Sequence, residues 1–389
     1  MAISVQLLQS INDNTFDKKA LKLSGHKIND KEFLTLAKTL KNNKYIRSID
    51  LSSNDITDKG LAELVQSFQN IEELNISDNN ITSEGTNVFT NVLLKKLNIS
   101  NNPIGNSGVE IFFNHRSLID LVADRCKITN VGANGLFKNS TLQRLNLSNN
   151  YFTKDAFFTL PSNITLKVLI LNQCGLNYEC AELISKNMSL TNVNLSSNDL
   201  GDTGAELMAQ NVTIKTLDLS QNAVGDVGIS AFGANHSVQE LKLFNNKVSS
   251  KGVKALSKNS ILKSLDLSCN NLDDECAEYF PYFKSLNSVL LMHNQISRQT
   301  VEKLTYLFRN SQVKAFSLAY NPRNYRISKR KVAASEADSP AALDKVKIPN
   351  NKHPQHRLFN VMWKNYSPFP PLLCRDPEQP HCSKKQKIS

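Results

Sequence analysis

An asparagine returns along most of this chain at a fixed interval, and no other feature constrains the fold as strongly. Asn54, Asn79, Asn102, Asn150, Asn198, Asn222, Asn246, Asn270, Asn294 and Asn321 hold one place in a recurring pattern, and Cys126 and Cys174 hold the same place in two units. From Asn102 to Asn294 every step is 24 residues. Such a period describes a stacked array, in which each unit buries its apolar face only against its neighbours.

Each unit reads L-x-x-L-x-L-x-x-N-x-L and then a helical stretch, as in "LTNVNLSSNDLGDTGAELMAQNVT", residues 190–213. The alternation predicts a short strand with Val193 and Leu195 inward and Asn192, Asn194 and Ser196 outward. Past the strand the chain turns and its backbone groups lose their ladder partners. A carboxamide both donates and accepts, so a column of asparagines satisfies those groups in its own repeat and the next. Six residues on stands a small residue, as at Gly60, Gly108, Gly204 and Cys276, which lets a helix approach the adjoining turn. Asp58, Thr203 and Ser250 are the expected helix N-caps.

This pattern resembles the leucine-rich repeat family over residues 18–321, and its helical part is similar to the ribonuclease-inhibitor-like class. The compact 24-residue unit is similar to those of effector proteins of intracellular bacterial pathogens. The resemblance implies an α/β leucine-rich repeat solenoid, a horseshoe with a parallel sheet on the concave side and helices on the convex side. Residues 1–45 are expected to form an N-terminal cap with a degenerate first repeat, 46–321 the solenoid and 322–389 a basic, proline-rich tail. In the cap, "ISVQLLQSI" is expected to turn Val5, Leu8 and Ile11 towards the first repeat, and His26 stands where asparagine is expected.

The net charge of +11 is concentrated, since residues 322–389 hold 14 Lys or Arg against 5 Asp or Glu, a balance of +9. Nucleic acid or acidic lipid is therefore a candidate partner for the tail alone. The tail also carries an apolar segment, "HRLFNVMWKNYSPFPPLL" at 356–373. The start "MAISVQLLQSINDNTF" lacks the charged and apolar blocks of a secretory signal, and no apolar run reaches the ~18 residues of a membrane span. Together with the resemblance, this gives the expectation of a monomeric bacterial protein secreted into a host cell without a cleaved signal peptide, otherwise cytoplasmic. Cysteines on repeat positions (Cys126, Cys174, Cys180, Cys276) read as buried thiols of a reducing compartment.

Catalysis needs a convergent nucleophile, base and oxyanion stabiliser, or a metal-ligand cluster, and the repeats supply neither. "CRDPEQPHC" at 374–382 begins with C-x-D, similar to the active-site motif of bacterial leucine-rich-repeat ubiquitin ligases, but a tail of 68 residues is too small for their catalytic domain. No catalytic, cofactor-binding or metal residue is assigned. A ubiquitin-ligase adaptor is a further alternative, although no F-box is recognisable at the N-terminus.

If leucines and asparagines fix the framework, specificity resides in the outward strand positions. After L-x-L serine is the rule (Ser52, Ser77, Ser100, Ser148, Ser196, Ser220, Ser268), and Asp124, Asn172, Phe244, Met292 and Ala319 break it. Lined up by repeat, Lys242 and Phe244 join Leu290, Met292, His293 and Tyr320 in one cluster; Val122, Asp124 and Arg125 join Val168 and Ile170 in another. Large side chains facing outward from a sheet have no core to fill, so a covering partner is expected. For the C-terminal cluster the cover is either another protein, in the host, or residues 356–373 of the same chain. The function read from the sequence is a non-enzymatic protein-binding scaffold with no cofactor.

Overall fold

A computed structural model describes residues 3–16, 18–41, 43–65 and 70–321. Thirteen three-residue strands form one sheet in strict chain order: β1 (Ala20–Lys22), β2 (Ser48–Asp50), β3 (Glu73–Asn75), β4 (Lys96–Asn98), β5 (Asp120–Val122), β6 (Arg144–Asn146), β7 (Val168–Ile170), β8 (Asn192–Asn194), β9 (Thr216–Asp218), β10 (Glu240–Lys242), β11 (Ser264–Asp266), β12 (Ser288–Leu290) and β13 (Ala315–Ser317). Every pairing is parallel and in register, so position one of each strand meets position one of the next. The sequence pattern promised about twelve strands; the degenerate first unit contributes β1 as well. Strands lie about 4.8 Å apart and packed helices about 8–10 Å apart, so a stack with a sheet on one side and helices on the other curves towards the sheet. The sheet is the concave side of an α/β solenoid.

The middle residue of each strand points into the stack. Leu145, Leu169 and Leu217 are wholly buried and belong to a single core that runs from Ile3 to Phe308. The outer layer mixes α-helix with 3-10 turns, as between β6 and β7, where Lys154–Phe157 and Leu160–Ser162 are both 3-10.

The asparagine column is architectural. Asn270 donates to the carbonyls of Leu243 (2.8 Å) and Leu267 (3.1 Å), and its Oδ1 accepts the N–H of Val248 (2.9 Å). Asn102, Asn150, Asn198 and Asn294 repeat this arrangement. Each amide reaches back to the preceding repeat, not forward to the next as expected. The two cysteines substitute in part: Cys174 Sγ donates to Leu147 O, and the N–H of Phe152 turns to the Cys174 carbonyl. Burial pushes both thiols up to about 12.

A second amide column, absent from the sequence reading, closes the exit from the helices. Asn139, Asn163, Asn187, Asn211, Asn235 and Asn259 are buried. Asn187 donates to Leu160 O (2.7 Å) and Asn163 O (2.8 Å), while its Oδ1 accepts the N–H groups of Ser189 and Leu190 (both 2.9 Å). His115 takes this place one unit before Asn139. Its Nδ1 accepts from Leu118 N (3.2 Å), which leaves the proton on Nε2 to donate to Phe89 O (3.2 Å).

Between helices, Asp58 and Asp226 accept from the cap residue of the next unit: Asp226 takes the N–H groups of Ser249 (2.7 Å) and Gly252 (3.0 Å). A Cβ on Gly252 would stand 2.5 Å from Asp226 Oδ1, which explains the small residue at that place. The caps sit earlier than expected, by one residue at Ser249 and by three at Leu200. Ser249, not Ser250, accepts from the first turn, Asp58 is the first residue of its helix, and Thr203 lies inside Gly201–Ala209.

At the N-terminal end the helix Val5–Asn12, capped by Ser4, buries Ile11, with Ile3 beneath it. Val5 faces outward, contrary to expectation, because the helix begins at Val5 and turns Leu7, Leu8 and Ile11 to the core. His26 is exposed, with Nδ1 near Ser24 O, and takes no part in the column. At the other end the helix Arg298–Arg309 sets Phe308 edge-on against Phe280 (5.3 Å) and beside Phe316 of β13 (5.3 Å).

Candidate functional site

The outward face of the sheet has its own local rule. In seven repeats the third strand residue is Asn or Asp and the residue two places on is serine, whose N–H donates to that side chain at 2.8–3.1 Å: Asp50 to Ser52, Asn75 to Ser77, Asn98 to Ser100, Asn146 to Ser148, Asn194 to Ser196, Asp218 to Ser220 and Asp266 to Ser268. These side chains cap the strand end and are partly or fully buried. The residues read as free and outward in the sequence, such as Asn194 and Ser196, thus belong to the framework.

The rule fails in the two terminal strands, β1 (Lys22, Ser24) and β13 (Ser317, Ala319), and inside the array in β5, β7, β10 and β12, which hold most of the sequence-predicted site. Val122 and Asp124, Ile170 and Asn172, Lys242 and Phe244, and Leu290 and Met292 replace the capping pair. At β5 and β7 a hydroxyl of the preceding repeat steps in: Ser100 Oγ accepts from Asp124 N and Ser148 Oγ from Asn172 N, both at 3.2 Å. Register sets Val122, Asn146 and Ile170 in one row and Lys242, Asp266 and Leu290 in another. A capped strand therefore separates the members of each cluster, and neither forms one continuous apolar patch. Val122, Val168, Ile170, Leu290, Phe244 and Met292 are half-buried, so the expectation of side chains standing in water is corrected for these.

The residue just before the column asparagine is left-handed in every unit, among them Asp78, Asn101, Arg125, Asn149, Asn245, His293 and Tyr320 at φ of +53° to +60°. That backbone favours Gly, Asn or Asp, and Asp78, Asn101, Asn149 and Asn245 comply, while Ser, Gln or Cys stands there in five other units. Arg125, His293 and Tyr320 are the bulkiest residues at this place, and all three are exposed. Tyr320 is 70% exposed and stacks on His293 with ring centres 4.6 Å apart. The Gly, Ser, Asp and Asn residues crowded before the column were the sequence signal for this turn.

Charges pair within the face. Glu73 meets Lys96 at 2.6 Å and Arg144 Nε meets Asp120 at 3.4 Å, beside a shallow hollow of about 310 Å³ over β1–β5 that was not foreseen. Burial raises the pKa of Asp120, with Arg144 opposing, and burial raises that of Asp124, with a hydrogen bond from Asn149 (2.8 Å) opposing. Lys242 Nζ lies 3.8 Å from Asp218. Among the described residues no group of three or more His, Cys, Asp or Glu side chains could hold a metal ion, and no helix is long and apolar enough to cross a membrane. Cys374, Cys382 and residues 356–373 lie outside the described residues.

Comparison with known proteins agrees with this geometry. A family model described as leucine-rich repeat matches residues 42–65, 69–86, 90–112, 186–209, 210–233, 234–257 and 258–280, and a second of the same description matches 141–163. This is a leucine-rich repeat protein. Residues 113–140 and 164–185 of the repeat protein, which carry β5 and β7, fall between the matched stretches. No curated protein sequence matches it. Among solved structures, an internalin of Listeria monocytogenes is similar over 82% of this chain and 96% of its own, with a TM-score of 0.53 and 17% identity. The leucine-rich repeat ectodomain of the Arabidopsis receptor kinase HAESA, solved with a peptide hormone, covers 77% of this chain and 50% of its own at 0.51 and 21%. The mouse RP105/MD-1 complex gives 82%, 68%, 0.51 and 18%. At such identities the likeness is one of fold.

Proposed function

We propose that this leucine-rich repeat protein is a non-enzymatic scaffold that binds a protein partner on its concave face, through Val122, Asp124, Arg125, Val168 and Ile170 in one group and Lys242, Phe244, Leu290, Met292, His293 and Tyr320 in the other. One observation carries the reading. The strand-end cap is abandoned in β5, β7, β10 and β12, where the replacements serve no role in the core. A framework that can cap its strands in seven repeats gives up the cap where another demand outweighs it. Solved relatives titled as complexes with a peptide hormone and with MD-1 are compatible with this use of the fold.

The 24-residue unit and its helical outer side support assignment to the ribonuclease-inhibitor-like class, and by analogy a bacterial effector acting on a host protein. A concave face of thirteen strands offers room for the roughly 800 Å² per partner of an ordinary stable interface. Affinity capture from host-cell lysate with wild type and with Phe244→Asp/Met292→Asp tests the reading. Loss of at least one captured protein supports it, and an identical set of proteins removes it. The charge of the tail favours a second reading, binding to nucleic acid or acidic membrane; such binding weakens steeply with salt and vanishes on removal of residues 322–389.

A further inference from the structure

The two long edges of the array carry opposite charge. At the edge where the outer layer hands over to the strands, the six residues leading into each of β6 to β11, from 138–143 to 258–263, hold Lys138, Lys167, Lys186, Lys215, Lys258 and Lys263 and no Asp or Glu. At the other edge, the six residues that begin at each column position, from 150–155 to 270–275, hold eight Asp or Glu against three Lys. Lys186 pairs with Glu182, and Lys263 donates to Gln239. For Lys138, Lys167, Lys215 and Lys258 no carboxylate among the described residues lies within ion-pair distance.

Among these lysines runs an apolar ridge. Ile164, Met188 and Val212 each follow an asparagine of the second amide column and are 80%, 59% and 64% exposed. Asn187 donates to Asn163 O and Asn211 to Asn187 O, both at 2.8 Å, so the three apolar residues hold one place in successive repeats. Lys167, Thr191 and Lys215 run alongside in the same register, because the Thr191 N–H bonds Lys167 O and the Lys215 N–H bonds Thr191 O. No other exposed large apolar side chains among the described residues keep one place through three successive repeats. Single exposed apolar residues are ordinary, whereas a ridge in register marks a surface that meets something apolar.

We propose that this edge docks on an acidic lipid surface, with Ile164, Met188 and Val212 entering the headgroup layer and Lys138, Lys167, Lys186 and Lys215 against anionic headgroups. Ridge and charge together select the occupant. A nucleic acid neutralises the lysines and leaves the ridge in water, whereas a bilayer interface takes apolar side chains to a depth of about 5–10 Å and cations at its surface. Each lysine close to an anionic leaflet strengthens binding about fivefold. The acidic edge is repelled from the same surface, so the array stands edge-on and its concave face opens sideways, free for a partner. The docking edge is separate from the tail and does not rest on the concave-face reading.

Methyl-resolved NMR of the full chain tests the docking, in bicelles of phosphatidylcholine and phosphatidylserine that contain a lipid with a nitroxide on its acyl chain. The expected result is selective broadening of the Ile164, Met188 and Val212 methyls. It should be at least tenfold weaker in bicelles of phosphatidylcholine alone and in Lys167→Gln/Lys215→Gln, which changes two exposed side chains and leaves every cation of the tail in place. No broadening at those methyls overturns the proposal, including the case in which the tail alone carries the chain to the bicelles. Equal broadening without phosphatidylserine, or in the lysine variant, overturns it too. A DNA duplex that perturbs the ridge methyls as strongly as the acidic bicelles do makes the edge a general polyanion site and overturns the lipid assignment. Loss of a captured protein in Ile164→Ser/Met188→Ser/Val212→Ser, with no broadening in bicelles, gives the ridge to a protein instead.

Discussion

Asn270 accepts the backbone N–H of Val248, 22 residues earlier, at 2.9 Å. With its own N–H groups on the carbonyls of Leu243 and Leu267, one side chain holds two repeats in register at the point where the sheet ladder ends. Replacement by an isosteric hydrocarbon strands those groups in the core, and each orphan costs about 1–3 kcal/mol. Asn270→Leu is expected to lower stability by about 3 kcal/mol or more in urea denaturation. Asn270→Cys, which keeps a donor as Cys126 and Cys174 do, is expected to lose about half as much.

His115 gives the array a sensitivity to acid. Burial holds its pKa below the ordinary histidine value, with hydrogen bonds to backbone carbonyls opposing, and the neutral ring accepts from Leu118 at Nδ1. A folded-state value below the unfolded one means that the contribution is complete above about pH 6.5 and is lost as pH falls through the folded value. Denaturation midpoints followed from pH 7.5 to 5 should fall more steeply for wild type than for His115→Asn, which installs the residue used by the next six units. Parallel curves would assign the acid sensitivity elsewhere.

Gly252 has no room for a methyl group, with Asp226 Oδ1 2.5 Å and Ile229 Cδ1 2.8 Å from the site of a Cβ. Gly252→Ala is expected to cost about 1–3 kcal/mol through overpacking. Thermal unfolding measures it, and Gly252→Ala/Asp226→Ala should recover part of the steric loss.

The buried thiols should be inert. Cys126, Cys174 and Cys276 are pushed up to about 12 by burial, so at pH 8 almost no thiolate is present. Mass spectrometry after iodoacetamide at pH 8 is expected to find these three unmodified in the folded chain and modified in urea.

How much of this was legible follows from what each position must satisfy. The strand leucines and Asn270 repeat because every unit needs the same core and the same closure, so a single sequence displays them. The second amide column was harder to see, because His115 and Val92 interrupt it and it follows helices of unequal length. The outward face was misread in part. Asn146 and Ser148 look like any polar pair on a strand, and only geometry shows that the one caps the other. The unusual residues were visible in the sequence; their half-burial and their separation by capped strands depend on register.

The central claim is that the replacements in β5, β7, β10 and β12 serve a partner and not the fold. Restoring the capping pair with Val122→Asn/Asp124→Ser and Leu290→Asn/Met292→Ser tests it most directly, with denaturant stability and quantitative capture measured on the same preparations. Each restored bond is worth about 0.5–1.5 kcal/mol at most, so stability should hold or rise slightly while capture of a partner falls at least tenfold. Stability that falls while capture stays intact would contradict the account.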